Sequence, residues 1–208
     1  MAFYIDLSHP ISDNMPVYPG DLEVSLKQQS FYQKDGHNNF ALSTGMHAGT
    51  HLDGFMHLTE NLTRIAQLPI EMFAGKGFLV NVCGQTEIDL PESAFDLLSP
   101  GSIVLFYAGF DQYFGKQEYY NTYPAISEAT AWHLVKKGVK MVGMDFPSPD
   151  YAPYNIHTIL LNKNILILEN LTNLSALLPY REFELLAFPL KIEADSSPLR
   201  VVARIDNE

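Results

Sequence analysis

The segment His47-Ala48-Gly49-Thr50-His51-Leu52-Asp53-Gly54-Phe55-Met56-His57 holds three of the seven histidines of the chain and an aspartate. Neutral imidazoles are common ligands for divalent transition metals, and a carboxylate supplies compensating negative charge. His47, His51 and Asp53 therefore form a candidate three-ligand set that leaves coordination positions free for water and substrate. Residues four apart share a helix face, but Gly49 and β-branched Thr50 stand between the two histidines, and both disfavour helix. The segment reads instead as a loop leaving a strand at residues 40–44, with Gly49 letting the backbone bend closely around an ion. The zincin pattern His-Glu-x-x-His is absent.

On either side of this cluster the chain reads as short, mixed elements. Apolar or β-branched runs at residues 3–7, 22–26, 77–83, 103–107, 139–143, 165–168, 183–192 and 201–205 predict strands. Residues 128–137 predict a helix, with Ser127 as N-cap and Lys136, Lys137 and Gly138 at its end. A second helix is expected at 91–98, opened by Pro91. The polar stretches 9–21, 111–124 and 145–155 read as loops, and the middle one carries Tyr113, Tyr119, Tyr120 and Tyr123. The fold class expected is α/β, a single domain over residues 1–208 with a sheet-rich core and flanking helices.

Composition narrows the function. A net charge of −11 argues against nucleic acid and anionic membrane as partners, since both need clustered cations. At 47% hydrophobic residues the chain buries enough apolar surface to exclude disorder. No apolar run approaches the ~18 residues that span a bilayer. Residues 1–6 show no basic region or apolar signal core, and the single cysteine fits a reducing compartment, so a cytoplasmic location is expected. Cys83, in Leu79-Val80-Asn81-Val82-Cys83, reads as a small buried hydrophobe. No nucleophile elbow or phosphate-binding glycine loop competes with the histidine cluster.

The cluster resembles the signature His-x-Gly-Thr-His-x-Asp-x-Pro-x-His of the cyclase-like metal-dependent hydrolases, which include bacterial kynurenine formamidases and isatin hydrolases. His47, Gly49, Thr50, His51, Asp53 and His57 match it, and Phe55 stands at the usual proline. The resemblance extends along the chain. Asp6-Leu7-Ser8 and Pro16-Val17-Tyr18-Pro19-Gly20-Asp21 are similar to the family's N-terminal strand and turn. Val142-Gly143-Met144-Asp145 with Ser148 and Asp150, then His157 and Ile165 to Leu171, are similar to its central and distal segments. Phe188-Pro189-Leu190-Lys191 and Asp195-Ser196-Ser197-Pro198-Leu199-Arg200 are similar to its C-terminal part.

The resemblance implies a swivelling β/β/α fold and a homodimer or larger assembly. It implies one divalent ion, zinc or manganese, on His47, His51 and Asp53, and room for a second on Asp53, His157 and Glu169. The isatin hydrolase branch works with a single manganese. His57 takes the place of the proton donor and acceptor, and Tyr18 that of an aromatic packing on substrate. Independently, Glu169 closes an apolar strand, where an unpaired carboxylate is costly to bury and a cation would neutralise it. Glu169 and Asp145 are also candidates to orient ligands.

The activity expected is hydrolysis of an amide, lactam or ester-type carbonyl in a small aromatic substrate, with Tyr18, Phe55 and the tyrosine-rich segment walling the pocket. Tyr107-Ala108-Gly109 stands where the formamidases tend to have Arg-Thr-Gly. Arginine is the natural partner of a substrate carboxylate, so N-formylkynurenine is the alternative rather than the first choice. A metal-binding protein without catalysis is the rival from another class, and retention of His57 beside five ligand residues argues against it.

Overall fold

Near-continuous apolar runs, Ile103–Tyr107 and Met141–Met144 among them, need cover on both faces, and they make the centre of the sheet. The computed structural model describes residues 1–206. Its strands are β1 (Phe3–Asp6), β2 (Ser25–Ser30), β3 (Asn39–Ser43), β4 (His51–Asp53), β5 (Ala74–Asn81), β6 (Glu87–Ile88), β7 (Ile103–Tyr107), β8 (Ala125–Ile126), β9 (Met141–Met144), β10 (Leu166–Glu169), β11 (Phe183–Pro189) and β12 (Ser196–Ile205). Its helices are α1 (Tyr32–Asp35), α2 (Gln117–Asn121), α3 (Glu128–Lys137) and α4 (Asn155–Asn162).

Eight strands pair in the order β1-β12-β11-β5-β7-β9-β10-β4, and β4 also pairs with β12. Seven strands thus close on themselves, with β1 added outside β12. β5, β7, β9 and β10 run parallel, and β9 and β10 are buried throughout. At Gly143 in β9 a Cβ would meet Leu105 Cδ2 at 2.6 Å and Leu171 Cδ1 at 2.9 Å, so packing there leaves no room for one. α3 packs on α4 and α4 on β10. This is the expected sheet-rich α/β core with flanking helices.

α3 begins and ends where expected: Thr130 N–H donates to Ser127 Oγ, and Gly138 closes the helix at φ 68°. Three expectations are corrected. Residues 91–98 form only a 3₁₀ turn at Glu92–Phe95, anchored by buried Phe95. Residues 22–24 are irregular; the strand is Ser25–Ser30, whose polar run pairs with β3 as an antiparallel hairpin. Cys83 is exposed, because it lies in the turn after β5 with Sγ 3.8 Å from the Tyr107 carbonyl. The β2–β3 hairpin stands away from the core, β3 is exposed along its length, and Phe31, Tyr32, Phe40 and Leu42 are each at least half exposed.

Candidate metal centre and cleft

Strand register builds the site. β4 lies between β10 and β12, with Glu169 opposite His51 and Ser196 opposite Asp53. Alternation along β4 puts His51 and Asp53 on one face and turns Leu52, fully buried, to the other. His157 enters from the first turn of α4. His51 Nε2 lies 3.5 Å from Asp53 Oδ1 and 3.3 Å from Glu169 Oε2. His157 Nε2 lies 3.3 Å from Glu169 Oε1 and 3.8 Å from Asp53 Oδ2. His47 Nδ1 lies 2.9 Å from Asp53 Oδ1.

These donors fit a divalent ion. Three buried atoms, His51 Nε2, Asp53 Oδ2 and Glu169 Oε1, have no hydrogen-bond partner, and such orphans are costly. Tetrahedral coordination with bonds of ~2.1 Å places neighbouring donors about 3.4 Å apart, close to the His51 separations. Each inner imidazole is also fixed from behind. His51 Nδ1 donates to the Gly49 carbonyl at 2.9 Å, and His157 Nδ1 donates to Asp150 Oδ1 at 2.6 Å. Both bonds leave Nε2 as the free lone pair, as ligand histidines require. His51, Asp53 and Glu169 form one group with metal-binding spacing, and His47, Asp53 and His57 form another, so Asp53 is common to both.

Electrostatics follow from three carboxylates, Asp53, Glu169 and Asp195, among imidazoles. Burial alone would raise the Asp53 carboxyl, but His51, His157 and His47 hold it well below the carboxylate range. Glu169 is likewise lowered, against burial and the charge of Asp53, by His157 and His51. Burial pulls His47 down, yet hydrogen bonds to Asp195 and Asp53 win and raise it to about 10. Against burial, His51 is raised by Asp53 and Glu169, and His157 by Asp150, Asp53 and Glu169.

Gly49 sits at φ 61° with its Cβ position covered by Met15 Cε at 2.7 Å, and its carbonyl accepts from His51 Nδ1. Asn170 shares that carbonyl at 3.0 Å and receives the Tyr119 hydroxyl at 2.8 Å. Asp145 is not a ligand-orienting residue: its carboxylate accepts from the backbone N–H of Ala108 and Phe110. Burial raises it to about 6.

Above the donors opens a cleft of about 210 Å³, floored by His47, His51, His57, His157 and Glu169 and walled by Tyr18, Tyr120 and Tyr154. Tyr18 stands where expected. Phe55 does not: it is 4% exposed inside the hydrophobic core, because an apolar ring two residues beyond Asp53 turns inward, and it lies outside the cleft lining. Of the tyrosine-rich segment only Tyr120 lines the cleft; Tyr119 and Tyr123 are buried struts, the latter donating to the Asp150 carbonyl.

Sequence reasoning missed Asp195 and Asp150 as site residues. Asp195 Oδ2 lies 2.9 Å from His47 Nε2 and 3.2 Å from His57 Nδ1. It stands next to Ser196, the register partner of Asp53, a long-range pairing that left no signal in the local sequence.

A family model described as "Putative cyclase" matches residues 5–151. Kynurenine formamidase from Bordetella avium is 31% identical over 210 residues, covering 96% of each chain. The same enzyme from Bacillus cytotoxicus is 28% identical over 207 residues, covering 97% of each. Isatin hydrolase A from Labrenzia aggregata, solved bound to benzyl benzoate, superposes with a TM-score of 0.88 at 22% identity over 99% of this chain and 94% of that one. With most of the chain matched by the family model and collinear relatives along nearly all of it, this protein belongs to the cyclase family.

Proposed function

We propose that the protein is a metal-dependent hydrolase that cleaves an amide, lactam or ester-type carbonyl of a small aromatic substrate. The observation that carries this is the trio of buried, unpartnered donors, His51 Nε2, Asp53 Oδ2 and Glu169 Oε1, under a tyrosine-walled cleft. His47, His51 and Asp53 hold one divalent ion, zinc or manganese; Asp53, His157 and Glu169 offer a second position. Such an ion polarises a carbonyl and acidifies water toward neutrality. His57, 26% exposed at the side chain while His51 is 2% exposed, is the group placed to take a proton from water and return it to the leaving atom. Asp195, against Nδ1 of His57, leaves Nε2 for that transfer. Tyr18 and Tyr120, edge to face at 5.8 Å, stack the substrate ring. A cleft of about 210 Å³ suits something smaller than drug-sized ligands, whose pockets run ~300–1,000 Å³.

A homodimer is part of the same reading, supported by the exposed hairpin, since a lone two-stranded ribbon is marginal without cover. A cytoplasmic location rests on the unpaired Cys83. No helix of the described residues is long and apolar enough to cross a membrane.

Arylformamidase activity on N-formylkynurenine is the second reading, favoured by the names of the curated relatives. Elemental analysis of wild type and His51→Ala, joined to a screen of aryl formamides, cyclic amides and lactones, tests the proposal. Metal unchanged in His51→Ala, or no hydrolysis of any class by loaded protein, overturns it. A hundredfold preference for N-formylkynurenine, about 2.7 kcal/mol, selects the second reading.

A further inference from the structure

We propose that the cleft mouth is a cation subsite, so that the favoured substrate carries a protonated amine, without a carboxylate, on an arm extending from its aromatic ring. This rests on the hydrolase reading and names its substrate class.

The turn Tyr18-Pro19-Gly20-Asp21, closed by Asp21 N–H donating to the Tyr18 carbonyl at 3.0 Å with Gly20 at φ 101°, brings a carboxylate and a ring to the same rim. Asp21, Tyr18, Tyr120 and Tyr154 all line the cleft. The negative charge of Asp21 reaches Tyr120: burial first, then that charge, push the phenol up to about 12. Among the described residues no lysine or arginine lines the cleft. Asp53 and Glu169 at the floor face His51 and His157, whereas Asp21 at the rim has no cationic partner among the described residues. A carboxylate beside several π-faces is the chemistry that recognises ammonium groups, by charge and by cation–π attraction. An α-amino-acid arm would present its own carboxylate to the same rim with no cation to receive it.

The test uses metal-loaded protein and three substrates sharing one scissile bond: formanilide, 3-(2-aminoethyl)formanilide, and the latter with an α-carboxylate. The expected result is a kcat/KM for the amine at least fivefold above formanilide, mostly through KM, with the amino acid gaining no such advantage. In Asp21→Asn the ratio of amine to formanilide should collapse toward one. No preference for the amine, a preference that survives in Asp21→Asn, or an equal advantage for the amino acid overturns the proposal. Calorimetric titration with benzyltrimethylammonium, which cannot ligate a metal, separates the subsite from the chemistry. If formanilides are not cleaved the hydrolase reading is at fault, and the subsite stands only if this cation binds wild type at least fivefold tighter than Asp21→Asn.

Discussion

Asp195 Oδ2 lies 3.2 Å from Nδ1 of His57, 138 residues earlier in the chain. The same oxygen receives His47 Nε2 at 2.9 Å and the Ser196 hydroxyl at 3.3 Å. One carboxylate thus orients both His47 and His57. Asp195→Asn should lower kcat about 10–100-fold with smaller change in KM. Metal content measured alongside apportions the loss: metal retained assigns it to His57, and metal lost in step assigns it to His47. Unchanged kcat would deny Asp195 either role.

His157 depends on Asp150 in the same manner. Asp150 accepts from His157 Nδ1 at 2.6 Å and from the Ile156 N–H at 2.6 Å. Asp150→Asn should weaken uptake of the second ion about 10–100-fold, read by competition with a chromophoric chelator. Circular dichroism checks that α4 persists.

Metal uptake should run against acid. His47, raised to about 10 by its two carboxylates, carries a proton at neutral pH that an ion must displace. Apparent affinity for zinc should therefore climb about tenfold per pH unit for each proton released, measurable as acidification of weakly buffered solution. The sign for stability follows from the same shift. In metal-free protein the His47 pairing stabilises fully below about 6.5, the ordinary histidine value, and is lost as pH rises through about 10. Chemical denaturation of stripped protein across that window should show the decline; a flat profile would contradict it.

Phe55 belongs to packing. Replacing it by leucine should lower stability by roughly 1–2 kcal/mol, from lost apolar burial, while KM for every cleaved substrate stays within about twofold. A large KM change with stability intact would return Phe55 to the cleft.

The cluster of candidate donors was legible because three of its five members stand two to four residues apart in one loop and strand, and local spacing survives folding. α3 was legible for the same reason, since Ser127 and Gly138 act on their own helix. α4 was not. Its N-cap is Tyr154 at φ 63°, with no side-chain cap of its own, and the first-turn N–H groups are received by Asp150, upstream of the cap. The helix that carries His157 therefore went unpredicted. Asp195 was quoted with its neighbours yet carried no role, because its meaning lies in pairing between β4 and β12, a contact that no local pattern encodes. Phe55 misled because its neighbourhood in sequence is the site, while its side chain follows the apolar interior.

Closure of the ring at Ser196–Pro198 against β4 also orders events in time. A chain emerging during synthesis exposes His47, His51 and His57 well before Asp195 and β12 exist outside the ribosome. Until then β4 lacks one neighbour and His57 lacks its carboxylate. Contacts so distant along the chain form slowly. The carboxylate that orients His47 and His57 is thus the last part of the cluster to be synthesised.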